Sequence, residues 1–268
     1  MKLTNIFSML GGLALFLYGM NMMSNGLELA AGNKMKTILE KLTSNRILGV
    51  LVGALVTAII QSSSATTVMV VGFVNSGLMS LTSAVWVIMG ANIGTTITGQ
   101  LIAIDITAIA PLIAFIGVAM IVFFKSKKLD AFGSVIGGLG ILFIGMETMS
   151  NAMVPLRTMP EFVGLISKFQ NPFIGILVGA LFTALIQSSS ASVGILQALA
   201  KSGVMTLSSS IYVLFGQNIG TCITSVLASI GTSKNAKRTT IIHLTFNIIG
   251  TVIFVSISML FPFAHLVE

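Results

Sequence analysis

Eight long apolar stretches run along the chain, at about 6–24, 48–75, 81–104, 106–124, 132–150, 173–203, 207–230 and 239–262. Each has the length and low charge of a membrane-crossing helix, so the pattern predicts an all-α polytopic membrane protein. Two stretches break the rule. Segment 48–75 is interrupted at Gln61-Ser62-Ser63-Ser64, and segment 173–203 at Gln187-Ser188-Ser189-Ser190. The first interruption leaves arms of 13 and 11 residues. At ~1.5 Å per residue each arm reaches only about 15–20 Å into a hydrocarbon core about 30 Å thick. Two half-length helices meeting at a polar tip form a re-entrant hairpin, tolerated where protein or a water-filled cavity shields it.

The two polar tips are copies. QSSSA at 61–65 returns at 187–191, an offset of 187 − 61 = 126. In that register Gly49–Ile104 aligns without a gap onto Gly175–Ile230, and 29 of the 56 positions are identical. GGLALFLYGMNMMSN at 11–25 likewise faces GGLGILFIGMETMSN at 137–151. The chain is therefore expected to hold two transmembrane repeats, 1–130 and 131–268. Each has three crossings, one of them broken, and one re-entrant hairpin. An odd number of crossings inverts the second repeat against the first and puts both termini outside the cytoplasm. Charge favours this count. With hairpins, ten basic residues (Lys34, Lys36, Lys41, Arg46, Lys125, Lys127, Lys128, Lys234, Lys237, Arg238) share one side and four (Lys2, Arg157, Lys168, Lys201) the other. With single crossings the split falls to nine against five, which fits the positive-inside rule less well.

Composition supports the same class. The chain is 55% hydrophobic and 8% charged, against about 25% charged in soluble domains, and its mean hydropathy is +1.03. No cleavage site follows the first apolar run, so it reads as a retained helix. The net charge of +7 sits in short loops, which points to topology and away from nucleic acid. The single cysteine, Cys222, excludes an internal disulfide.

A second duplicated motif is Gly90–Thr95 (GANIGT) and Gly216–Thr221 (GQNIGT), midway along an apolar segment. Glycines there are expected to permit an unwound turn whose carbonyls, with the asparagine amide, become available to a cation. Inverted repeats with broken helices and hairpin tips at one depth are the architecture of secondary transporters. Across both aligned segments the only ionisable side chains are Lys201, Tyr212 and Cys222. With no carboxylate to relay protons, hydroxyls and helix N-termini offer donors to an oxyanion, and oxygen atoms suit a hard monovalent cation. Cation-coupled oxyanion transport follows.

Paired QSSS followed by G-x-N-I-G-T resembles the type II sodium-dependent inorganic phosphate cotransporters and their short bacterial relatives, over nearly the whole chain. The resemblance implies phosphate as substrate, sodium as coupling ion, alternating access, a bacterial inner membrane and no other cofactor. It implies phosphate contacts from Ser62, Ser63, Ser64, Ser188, Ser189, Ser190, Asn92 and Asn218. Sodium falls to Gln61, Thr66, Thr95, Gln187, Ser192 and Thr221. Many bacterial relatives carry a soluble regulatory domain, so the end at Glu268 suggests regulation that is missing or lies in a separate protein. A homodimer stays open, as does uptake against export.

Other readings account for less. A sodium-independent oxyanion channel or exporter would use the same hydroxyls without a cation site. A scaffold would give the duplicated clusters no purpose, and an intramembrane hydrolase lacks an acid–base partner for serine. Glu147 faces the uncharged Asn21 across the repeat, so a paired or interfacial role is as good as coupling. Asp105 reads as a solvated loop end, His243 as interfacial, Cys222 as a small buried residue, and Trp86 with Tyr212 as packing.

Overall fold

The structure is a computed structural model that describes residues 3–31, 38–39, 45–104, 106–124 and 126–261. Asp105, the basic residues Lys2, Lys34, Lys36, Lys41 and Lys125, and residues 262–268 lie outside the described residues. All the described regular structure is helical. In the first copy α1 is Leu3–Ala31, α2 Arg46–Ile60, α3 Ser63–Asn75, α4 Leu81–Ala103 and α5 Ala110–Phe123. The second brings α6 (Lys127–Met153), α7 (Pro160–Ser167), α8 (Pro172–Ile186), α9 (Ser189–Lys201), α10 (Leu207–Gly220), α11 (Ile223–Ala228) and α12 (Lys234–Leu260).

Among the described residues five helices are long and apolar enough to cross a membrane: α1, α4, α6, the run Leu207–Ala228, and α12. The sixth expected crossing, 106–124, forms a shorter apolar helix over Thr107–Phe123. One helix was not expected at all: α7, in what the sequence presents as a loop, bent by 103° against α8. Large apolar side chains such as Phe173, Leu185 and Phe123 stand exposed along the helices, as a lipid-facing surface requires.

The same local chemistry starts equivalent helices in both copies. Asn45 caps α2 through Ile47 N, and Asn171, 126 residues later, caps α8 through Phe173 N. Ser62 Oγ accepts from Ala65 N to cap α3, and Ser188 Oγ from Ala191 N to cap α9. Each cap satisfies an amide that the first helical turn leaves unpaired.

Between the arms of each interrupted segment the chain doubles back. Thr57 and Thr66 are nine residues apart, which a continuous helix would spread over about 13 Å; their hydroxyls are hydrogen-bonded at 3.0 Å. Thr183 and Ser192 repeat the bond at 2.7 Å. The turn is made by Gln61 (φ 58°) and Gln187 (φ 59°), the non-glycine residues with positive φ among those described. A left-handed backbone costs a residue with a Cβ about 1–2 kcal/mol. Paired outliers at duplicated motifs are where functional strain is expected.

Two stripes of glycine set the packing. α1 crosses α6 with Gly12 against Gly145 and Gly19 against Gly138, close enough that an added Cβ would strike partner backbone. Increasing number on one helix meets decreasing number on the other, so the pair is antiparallel. Phe16, Leu142, Phe143, Met146 and Met149 fill the core beside it.

The second stripe corrects an expectation. Helix α4 runs unbroken through Gly90–Thr95. A Cβ at Gly90 would collide with the Val50 carbonyl oxygen, and one at Gly94 with that of Ala54. These glycines therefore let α2 approach rather than unwind α4, whose own hydrogen bonds persist. Gly216 and Gly220 meet Ile176 and Ala180 in the same way, but there the helix tightens into a turn whose backbone stays right-handed. α10 stops at Gly220, Thr221–Cys222 form a turn, and α11 follows.

Candidate functional site

The two tips meet. Ser64 Oγ lies 3.5 Å from the Gln187 carbonyl oxygen, and beside this contact a cavity of about 570 Å³ opens between the copies. Its wall carries Ser63 at the start of α3, Ser189 and Ser190 at the start of α9, and Asn92, Thr95, Asn218 and Thr221 from the two G-x-N-I-G-T motifs. Residues 126 and more positions apart thus converge on one volume. Among the described residues no ionisable side chain lines it.

Hydrogen bonding sorts the hydroxyls on that wall. Thr95 donates to Ala91 O at 2.9 Å, Thr96 to Ile93 O at 2.7 Å and Ser210 to Thr206 O at 2.8 Å. Their protons are committed to backbone, so they present only lone pairs. Ser63, Ser189, Ser190 and Thr221 make no side-chain hydrogen bond among the described residues, which leaves their hydroxyl protons for a ligand. The first turns of α3 and α9 add unpaired backbone N–H groups and the positive ends of two helix dipoles. Three serines and two helix N-termini facing one neutral cavity favour an oxyanion. The committed threonines and the asparagine oxygens favour a hard cation.

Half of the expected ligands stand on the wall and half off it. Ser62 and Ser188 are the caps described above, and Ser64 bridges the tips. Thr66 and Ser192 are fully buried and bolt the hairpin arms together. Gln61 is buried and bonded to Thr98, whereas Gln187 is exposed. Asn92 Nδ2 donates to Asn247 Oδ1 at 2.9 Å, and Asn247 donates in turn to Cys222 Sγ at 3.0 Å.

Other wall residues escaped the sequence reading: Gln100, Gln197, Ser210 and Gln217 among them. Gln217 is 2% exposed and ties α10 to α9 through Ser192 O at 3.2 Å. Gln197 ties α9 to α4 through Gly99 O at 2.9 Å. Their repeat equivalents are Ala91 and Val71, so a search for duplicated polar residues passes over them. Gln217 was visible within GQNIGT, one position before the motif asparagine.

Outside the cavity, Trp86 and Tyr212 pack on Gly49 and Gly175, as expected. His243, expected at an interface, is enclosed by protein with Nδ1 3.1 Å from Ser225 Oγ. The segment Lys234–Arg238 lies more than a helical turn before it, so α12 carries His243 inward from that basic end. Glu147 is exposed on α6 with no partner among the described residues.

The hairpin bonds give a direct test of the tip geometry. A double-mutant cycle of Thr57→Val and Thr66→Val is expected to show coupling of about 1 kcal/mol in denaturation of the purified protein, as for one buried neutral hydrogen bond. Coupling near zero would mean that the arms are not joined there.

The Na+/Pi-cotransporter family matches residues 15–151 and 158–264. Uncharacterized protein YqeW of Bacillus subtilis is 34% identical over 238 residues, 88% of this chain and 76% of its own length. "Putative inorganic phosphate export protein YjbB" of Escherichia coli K12 is 28% identical over 260 residues, 96% of this chain but only 47% of that protein. Rat sodium-dependent phosphate transport protein 2A is 40% identical over 105 residues, 38% of this chain and 16% of its own length. No solved structure matches. A polytopic helical protein with converging serine tips, matched by that family over both halves of the sequence, belongs to the Na+/Pi-cotransporter family.

Proposed function

We propose that this chain carries inorganic phosphate across the membrane in symport with sodium, by alternating access at the cavity between its two copies. The carrying observation is the convergence of Ser63, Ser189 and Ser190, with uncommitted hydroxyls, on one volume that no ionisable side chain among the described residues lines. Phosphate sits against these serines and the N-termini of α3 and α9. Asn92 and Asn218 complete the phosphate wall, and Thr95 and Thr221 hold sodium beside it, so that the cation offsets the anion in a neutral site. Gln61, Thr66 and Ser192 stand one layer back and fix the shape of the tips, and Gln187 makes the turn of the second tip through its backbone.

The two copies are inverted repeats, 1–130 and 131–268, in a bacterial inner membrane, with re-entrant hairpins and extracytoplasmic termini. Reciprocity at α1–α6 supports the inversion. Gly12 and Gly138 are equivalents, as are Gly19 and Gly145, since 12 + 126 = 138 and 19 + 126 = 145; Gly12 meets Gly145 while Gly19 meets Gly138. Such exchange of partners is what a two-fold axis produces, and an antiparallel crossing agrees with an axis in the membrane plane. Sodium dependence is carried over from the name of the rat relative; export is the reading that the name YjbB favours.

Labelled phosphate uptake into proteoliposomes, with inward sodium or potassium gradients, decides between them. Saturable uptake that needs sodium is the expected result. Flux indifferent to sodium would overturn symport in favour of a channel or exporter.

A further inference from the structure

Gln61 and Gln187 hold the same place in the two copies and share one backbone conformation, φ 58°, ψ 26° and φ 59°, ψ 20°. Their side chains do not match. Gln61 is 5% exposed; its Oε1 accepts from Thr98 Oγ1 at 2.8 Å and its Nε2 donates to Ala58 O at 2.5 Å. Gln187 is exposed, and its side chain has no partner among the described residues. The residue equivalent to Thr98 is Thr224, since 98 + 126 = 224. Its hydroxyl donates instead to Thr221 O, at 3.1 Å, within its own turn.

The helices that carry the two threonines differ in the same sense. α4 runs unbroken past Thr98 to Ala103, whereas Thr224 rides on α11, beyond the tightened turn at Thr221–Cys222. The bonding partners are chemically the same in both copies, so the difference is one of conformation. One copy has glutamine docked on threonine, and the other has the same pair apart.

We propose that the glutamine–threonine pair is a latch, one per copy, and that transport exchanges which latch is closed. In the opposite state Gln187 docks on Thr224 and Gln61 leaves Thr98. This inference rests on the alternating-access reading above. The latch acts through the tip: Gln61 is followed at once by Ser62, which caps α3, and by Ser63 on the cavity wall, and Gln187 leads in the same way to Ser188 and Ser189. Docking one glutamine therefore adds a brace to one rank of serines; in the undocked tip Ser188 still caps α9 and Ser189 and Ser190 still line the wall. Thr98 and Thr224 are positioning residues that lie off the cavity wall. Each closed latch is held to its threonine by one neutral hydrogen bond, so neither state is locked and a small differential affinity for substrate can move the balance.

Hydrogen–deuterium exchange of the purified protein in lipid nanodiscs tests this without any flux, so its outcome is separate from that of the sodium-uptake experiment. In the wild type, peptides over 58–66 should exchange more slowly than those over 184–192. Thr98→Val keeps the side-chain shape and deletes the bond. It should shift the ratio of states about fivefold, the size of one neutral hydrogen bond, so that exchange rises at 58–66 and falls at 184–192 together. Thr98→Ser, which keeps the hydroxyl, should retain the wild-type pattern. A rise at 58–66 with 184–192 unchanged marks a bond that is structural only and overturns the latch, as does no change at either tip. Should Thr98→Val fail to fold, the pair Gln187→Cys and Thr224→Cys supplies a second readout. An oxidative cross-link that raises exchange at 58–66 supports the exchange of latches; absence of the cross-link, or a cross-link that leaves 58–66 protected, overturns it.

Discussion

Under the proposed symport, Ser189→Ala is expected to lower sodium-driven phosphate uptake about tenfold to a hundredfold, while Thr96→Val, on the same cavity wall, changes it less than about threefold. A hydrogen bond to a charged group contributes about 1.5–3 kcal/mol, which converts to that range. The two hydroxyls differ in where their protons go. Ser189 makes no side-chain hydrogen bond among the described residues and stands in the first turn of α9, where the anion would also meet backbone N–H groups. Thr96 already donates to Ile93 O at 2.7 Å and can offer an anion only lone pairs. Its repeat equivalent is Cys222, so the fold accepts a weaker hydrogen-bonding group at that place. Ser63→Ala should follow Ser189→Ala, since it holds the matching position on α3. Uptake measured at saturating sodium separates phosphate contact from cation contact. Equal losses in Ser189→Ala and Thr96→Val would mean that hydroxyl donors do not bind the anion.

The duplication made most of this arrangement legible before any coordinates. Polar residues that recur at a fixed offset inside apolar sequence could be found by comparing the chain with itself, and seven of the expected fourteen ligands do line the cavity. The same filter hid Gln197 and Gln217, which exist in the second copy alone. It also could not tell a hydroxyl that faces the ligand from one that bolts two helices. Thr66 and Ser192 look like ligands in sequence because they follow the tip; in three dimensions they lie one helical turn deeper and face Thr57 and Thr183. The glycines of G-x-N-I-G-T were ambiguous for a related reason. Glycine serves an unwound turn and a close helix crossing equally well, and the choice depends on a neighbour the local sequence does not name. α2 and α8 turned out to be those neighbours. Helix α7 was missed because eight residues that begin at Pro160 carry too little periodicity to announce a helix.

Gly12→Val is expected to destabilise the protein by about 3 kcal/mol or more, and Gly11→Val by less than about 1 kcal/mol, although the two residues are adjacent. In soluble proteins tight packing and burial are hard to separate. In lipid they separate cleanly, because hydrocarbon gives no hydrophobic reason for one helix to prefer another and close contact has to supply it. Gly12 sits where α1 touches α6: a Cβ there would lie about as close to Met149 N and Gly145 O as a covalently bonded neighbour two atoms away. Backbone cannot rotate aside as a side-chain end can, so the helices would have to separate, and the contacts around Phe16 and Phe143 would open with them. Gly11 faces outward, with nothing within 4 Å of the added atom. The reciprocal crossing makes a further demand. Gly145→Val, Gly19→Val and Gly138→Val should match Gly12→Val, because each places its Cβ against backbone of the opposite helix. Thermal unfolding of the purified variants in one detergent reads all five. Equal stability for Gly11→Val and Gly12→Val would remove the glycine stripe as the joint between the copies, and with it the argument that their two-fold relation runs through α1 and α6.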